Sequence, residues 1–297
     1  MSTAAYSATG KASLADFMAL VKPSITLLAV FTTSGGLLLA PGELTWPLLA
    51  YTLGGTALVV AAANTLNCYI ERVSDKYMTR TKNRPLPAGR MAPKTALWFG
   101  LILALISIPA LSVMVNPITG FLAALALVSY VWVYTPMKQL SPKALLVGAI
   151  PGAIPPLLGW TAMTGAVEWP GIGLFAILFV WQIPHFIAIT IYRQREYDRA
   201  GIQTLVSRDG WAVARKSVIT WTLLLLPVSL SLVPLHVAGS LYGISAFTLG
   251  LYFVYKAFAG LKADKPSQWA RSLFIYSLVY LSLLFVALAA DASLVGV

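Results

Sequence analysis

The chain has 297 residues, 58% hydrophobic and only 10% charged, with a formal net charge of +11. A mean hydropathy of +0.78 excludes a pair of ordinary soluble domains, and a single cysteine, Cys68, excludes an internal disulfide or a cysteine-built metal cluster. Apolar runs of about 20 residues recur along the sequence, each long enough to cross a bilayer core as a helix. The short alternating strands of a membrane barrel are absent from the pattern.

Residues 1–16 are polar and lack the apolar core and cleavage pattern of a signal peptide, so they are expected to be a disordered cytoplasmic arm. Residues 17–297 are expected to form one all-α integral membrane unit. Nine spans are predicted, at 22–41, 47–70, 95–114, 117–134, 144–164, 170–192, 217–235, 239–258 and 271–290. Little more than Asn116–Pro117 separates the third from the fourth. With the N-terminus in the cytoplasm, all 21 Lys and Arg residues fall on that side, while the outer loops and tail hold Glu43, Glu168 and Asp291 and no base. That one-sidedness is what the positive-inside rule requires. Topology and attraction to anionic headgroups of the lipid bilayer therefore account for the net charge, and no nucleic acid is needed.

Span 2 changes character at its end, where GGTALVVAAA gives way to NTLNCYIERVSDKYMTRTKNRPLP. Asn67, Glu71 and Asp75 are spaced i, i+4, i+8, with Asn64 on the same stripe. A helix continuing past the membrane surface carries them on one side, about 6 Å of rise apart. It must stop before Pro85 and Pro87. Two carboxylates and an amide oxygen are hard ligands that suit Mg²⁺, an ion usually held by one or two carboxylates plus the phosphate oxygens of a substrate. Arg80, Lys82 and Arg84 supply cations for those phosphates. The alternative is a solvated helix end laced with salt bridges. Glu71 beside Asp75 speaks against it, because like charges at i, i+4 repel unless a cation lies between them.

Span 6 leads into a second charged loop, WQIPHFIAITIYRQREYDRAG. His185, Ile189, Tyr192 and Glu196 share one helical face, and Glu196 and Asp198 sit among Arg193, Arg195 and Arg199. His185 lies about two turns inside the span, at a depth where ionisable groups are rare and functional. A neutral imidazole there either ligates iron or hydrogen-bonds a neighbouring helix. His236, in an outer loop, is expected to be solvated. Glu71 and Glu196 each follow an even-numbered span, which suggests two related helix groups with one such loop apiece.

The segment NCYIERVSDKYMTRTKNRPL resembles the first signature of the protohaem IX farnesyltransferases, or haem O synthases, a branch of the UbiA superfamily of intramembrane prenyltransferases. LVKPSIT, VYTPMKQLSP, GAIPGAIPPLLGW, WQIPHF and EYDRAG extend the resemblance over most of the chain. It implies nine helices around a central cavity, with the acidic motifs at the cytoplasmic face of a bacterial-type inner membrane. It also implies Mg²⁺-dependent transfer of a farnesyl group from farnesyl diphosphate to a vinyl group of haem B. The product, haem O, then passes to haem A synthase or to terminal oxidase assembly. Glu71 stands where the motif more often has Asp. Arg195–Glu196 replaces a pair of adjacent acids, and QTLVS replaces a PMLPV-type stretch.

Under this resemblance Glu71 and Asp75, with Asn67 assisting and Glu196 on the second limb, hold the ion. Arg80, Lys82 and Arg84 neutralise the leaving diphosphate, and Lys138 reaches the same space. Asn64 and Asp198 belong to the substrate-binding set. Tyr69, Tyr134, Trp181 and Tyr192 are candidates to face the allylic cation. His185 holds or orients the haem iron, and the propionates pair with cations of either loop. Two rivals stay open: a UbiA-type enzyme acting on a quinone precursor or chlorophyllide, and a transporter for a phosphorylated solute. The prolines of span 5, Pro151, Pro155 and Pro156, are the feature that would favour a transporter.

Overall fold

Prolines and polar caps set where the helices begin. The computed structural model describes residues 12–295. Ser13 opens α1 (Leu14–Val21) in a reciprocal capping box with Asp16. Proline occupies one of the first two positions of α2 (Pro23–Leu39), α3 (Trp46–Glu71), α4 (Pro93–Met114), α5 (Pro117–Val128) and α8 (Trp169–Tyr192), where its missing N–H breaks no intrahelical bond. α5 runs on through a π-helical stretch, Ser129–Tyr134, into the short α6 (Thr135–Met137). The series continues with α7 (Ala144–Thr164), α9 (Gln194–Arg199), α10 (Leu205–Leu230), α11 (Ser240–Ala259) and α12 (Pro266–Val295). Among the described residues there is no strand.

Eight of these segments are long and apolar enough to cross a membrane. The pair α1–α2, bent by 49° at Lys22, makes a ninth when counted as one span. The all-α, nine-span expectation therefore holds. α7 and α8 are the most buried spans and form the middle of the bundle. One apolar core joins α3, α4, α5 and α7, and another joins α8, α10, α11 and α12. α2 closes the arrangement by packing against α3, α7 and α12. At its contact with α7 the backbones approach closely: a Cβ on Gly36 would run into the Pro156 carbonyl, and one on Gly159 into that of Thr33. α7 stays helical through Pro151, Pro155 and Pro156. The broken span that would favour a transporter is not formed there.

Several expected boundaries move. The arm placed at 1–16 overlaps α1, because the capping box makes Leu14–Asp16 helical; residues 1–11 lie outside the described residues. The seventh span starts earlier and ends sooner than 217–235, because α10 runs Leu205–Leu230 across a break at Gly210 (φ 82°). The second charged loop is correspondingly short, filled by α9 and the start of α10.

The largest correction concerns the end of α3. The α-helix stops at Glu71, where the Ser74 hydroxyl bonds its carbonyl at 3.0 Å, and Asp75 sits instead in a 3₁₀ turn, Ser74–Tyr77. The loop after it folds inward. Leu86 and Met91 are fully buried with Leu20 and Cys68, and Arg90 pins α1 through a 2.8 Å ion pair with Asp16.

Candidate functional site

Although Asp75 leaves the helix, the row Asn67, Glu71, Asp75 survives as a cluster at the basic end of the bundle. All three are buried, and each faces a cation. Lys22 Nζ donates to Asn67 Oδ1 at 2.9 Å, Lys138 Nζ pairs with Glu71 Oε1 at 3.0 Å, and Arg84 Nη1 pairs with Asp75 Oδ2 at 2.7 Å. Lys138, Lys22 and Arg84 all lie within the field of Glu71. Three cations against two carboxylates leave the cluster net positive, which suits an incoming polyanion.

Local structure explains each arrival. Lys22 adopts left-handed backbone (φ 48°) at the α1–α2 bend, as the proline after it disfavours the helical region. The π-helical stretch places Thr135, whose hydroxyl accepts from Asn67 Nδ2 at 3.2 Å, one turn before Lys138. Asn64 Nδ2 donates to the Val21 carbonyl at 3.3 Å, so it braces the Lys22 bend. Burial is the largest single influence on Lys138 and works to lower its pKa, but the charge of Glu71, its hydrogen bond and the neighbouring Tyr134 and Tyr197 together outweigh it and hold the ammonium above the ordinary lysine range.

The second loop packs against the first. Tyr197 is buried with Met78 and Ile202. It also lines, with Tyr134, Lys138 and Thr190, a small cavity of about 80 Å³. His185 lies deeper, in α8. Its Nδ1 is 2.6 Å from Ser277 Oγ of α12, and its ring lies between Trp181 (4.8 Å between centroids) and Phe274 (4.7 Å).

Comparison with known proteins fits this geometry to one family. The profile of the UbiA prenyltransferase family matches residues 29–279. The chain belongs to that family. Similar curated proteins include the protohaem IX farnesyltransferase of Anaeromyxobacter sp. (strain Fw109-5), 49% identical with 92% of each chain covered. That of Sorangium cellulosum (strain So ce56) is 52% identical over 82% of this chain and 87% of its own. Among solved structures, a digeranylgeranylglyceryl phosphate synthase superposes with a TM-score of 0.80 over 94% of this chain and 98% of its own, at 17% identity. A UbiA homologue from Archaeoglobus fulgidus, bound to GPP and Mg²⁺, gives 0.66 over 92% and 99%, at 16% identity. These two matches show that the fold is shared.

Not every expected site residue of this UbiA chain joins the cluster. Arg84 faces inward, whereas Arg80 and Lys82 are exposed and have no ion pair among the described residues. Glu196 does not gather with Glu71 and Asp75: among the described residues no three His, Cys, Asp or Glu side chains converge tightly enough to hold an ion alone. The acids are turned to cations instead, Glu196 Oε1 to Arg193 at 2.9 Å, while its buried Oε2 has no partner. Asp198 is exposed and accepts from Ser207 at 2.8 Å, a contact that ties α9 to the start of α10.

Of the four aromatic candidates, Tyr134 alone lines the small cavity beside Lys138. A guanidinium already lies over Tyr69, from Arg72 at 4.5 Å, and two flank Tyr192, from Arg193 at 5.3 Å and Arg271 at 5.8 Å. Trp181 covers His185 and donates its N–H to the Ser277 carbonyl at 2.7 Å. Sequence reasoning missed Lys22, Thr135, Tyr197 and Ser277 as site residues. Only Lys22 carried a signal, a lone lysine before proline at a membrane boundary, and its charge was absorbed into topology.

Proposed function

We propose that this chain transfers a farnesyl group from farnesyl diphosphate to a vinyl group of protohaem IX (haem B), giving haem O and diphosphate. The observation that carries the transferase assignment is the cluster in which Asn67, Glu71 and Asp75 each hold a cation at the mouth of an apolar bundle. The acceptor is that of the relatives named protohaem IX farnesyltransferase, which are 46–52% identical over most of the chain.

The donor set fits Mg²⁺ arriving with its substrate. Glu71, Asp75 and the amide oxygen of Asn67 are hard ligands; Glu196, with its orphaned Oε2, stands outside this set. With no three acids converging among the described residues, phosphate oxygens complete the shell. When bound, the ion neutralises the diphosphate and makes it a better leaving group. Lys22, Arg84 and Lys138 turn from their protein partners to the phosphate oxygens and hold the charge that builds as the carbon–oxygen bond breaks. Arg80 and Lys82, at the exposed rim, draw the anion in. Tyr134 presents its ring to the allylic cation. The buried faces of α7 and α8 keep water away until the vinyl carbon has attacked; water then completes the hydroxyethyl group.

His185 holds the haem iron, braced by Ser277, Trp181 and Phe274. The basic end faces the cytoplasm of a bacterial inner membrane, a reading that the one-sided charge supports. The product leaves toward haem A synthase or a terminal oxidase. The test is Asp75→Asn in purified enzyme. Loss of pyrophosphate release with haem binding retained supports the assignment; unchanged turnover removes Asp75 from it.

A further inference from the structure

The α11–α12 hairpin carries a second polar site, on the lipid-facing side of the bundle and apart from the cluster around Glu71. An open groove of about 560 Å³ is lined by Lys256, Gln268, Arg271, Ser272, Tyr276 and Val279, with Tyr252 and Ile275 completing its walls. Its composition is graded. Lys256, in the last turn of α11, and Gln268, Arg271 and Ser272, at the start of α12, lie at the basic end. Tyr252 and Tyr276 come next, and Ile275 and Val279, 50% and 43% exposed, continue toward the bilayer interior.

The two cations lack counter-ions. Neither Lys256 nor Arg271 has an ion pair among the described residues, and no lining residue is acidic. The nearest acid along the chain, Asp264, lies in the connecting turn and is exposed between Lys262 and Lys265. Lys256 Nζ bonds Ser272 Oγ at 2.8 Å and lies over the rings of Tyr252 and Tyr276, at 5.4 and 5.9 Å. The ammonium is thereby held over the groove rather than released into water. Arg271 is spread over Tyr192 of α8.

From this grading we infer that the α11–α12 groove binds one anionic phospholipid of the leaflet at the basic end. Its phosphodiester lies against Lys256 and Arg271, with Gln268 and Ser272 as neutral donors. The Tyr276 hydroxyl is taken up by the Leu249 carbonyl of α11 at 2.8 Å, so the two tyrosines present their rings to the lipid beneath the headgroup. The first part of one acyl chain follows Ile275 and Val279. Charge complementarity selects the headgroup, and the apolar continuation into the bilayer selects a lipid over a small soluble anion.

The test uses the full chain, purified in detergent and delipidated, with phosphatidylglycerol and phosphatidylcholine as probes read by native mass spectrometry. We expect a one-to-one phosphatidylglycerol adduct. The double variant Lys256→Gln/Arg271→Gln should weaken it at least about tenfold, since each surface cation contributes about 1 kcal/mol toward an anionic lipid. Lys256→Arg should retain the adduct, which separates lost charge from lost folding. Equal adducts in the parent and the double variant would overturn the proposal. So would equal binding of phosphatidylcholine, or complete displacement of the lipid by millimolar inorganic phosphate.

Discussion

Ser277 fixes which nitrogen of His185 carries hydrogen. The Ser277 hydroxyl sends its single proton to the Phe274 carbonyl at 2.6 Å, so toward His185 Nδ1, also at 2.6 Å, it can only accept. Nδ1 is therefore the protonated nitrogen, and Nε2 keeps the lone pair that a metal ligand needs. Ser277→Ala removes this instruction. We expect haem affinity to fall by about 10- to 100-fold, the usual effect of losing a partner behind a ligating histidine, with a shifted Soret band. Ser277→Thr should restore both. An unaltered Soret band and affinity in Ser277→Ala would separate Ser277 from haem binding.

In the proposed reaction Lys138 exchanges Glu71 for a phosphate oxygen. Lys138→Met should raise KM for farnesyl diphosphate and lower kcat, with a combined loss of about 10²–10³-fold in kcat/KM. Lys138→Arg should recover part of it. Steady-state kinetics on the two variants decide the matter; wild-type constants in Lys138→Met would exclude that exchange.

The same pair sets a pH expectation. The folded-state pKa of Lys138 is raised above its unfolded value of 10.5 by Glu71, against the opposing effect of burial. Its contribution to stability is therefore fully present below the unfolded pKa and fades only as pH rises through the higher folded value. Between about pH 6 and about pH 9, the difference in thermal midpoint between wild type and Lys138→Met should stay constant. A difference that shrinks across that window would mean the ammonium titrates there.

The close contact of α2 with α7 leaves no room for a side chain. Gly159→Ala forces the two backbones apart, because its Cβ would meet the Thr33 carbonyl. Overpacking of this kind costs about 1–3 kcal/mol, so the thermal midpoint in detergent should fall by several degrees. Gly54→Ala, whose Cβ would meet nothing within 4 Å, is the matched control and should be near neutral.

The sequence carried the architecture because hydropathy and charge are both read along one axis. Nine apolar runs and a one-sided set of 21 bases leave little freedom for a membrane bundle. It also carried Asn67, Glu71 and Asp75, as residues four apart stay neighbours even when the helix ends between the second and third. What it could not carry was the partner of each group. Lys22 lies 45 residues before Asn67, Lys138 lies 67 after Glu71, and Ser277 lies 92 after His185. Such pairings are set by how α1, α3, α6, α8 and α12 pack, and no local spacing records them. The same limit explains the second limb: sequence put Glu196 with the other acids, whereas α9 turns it toward Arg193.

The measurement closest to the central claim is mass spectrometry of the haem recovered after purified protein is incubated with haem B, farnesyl diphosphate and Mg²⁺. We expect one vinyl group of haem B to be converted to a hydroxyethylfarnesyl group by addition of farnesyl and, from water, hydroxyl, with one pyrophosphate released per product and none formed by Asp75→Asn. Recovery of unmodified haem B, with the farnesyl group found on a quinone precursor or another acceptor supplied alongside, would contradict the account.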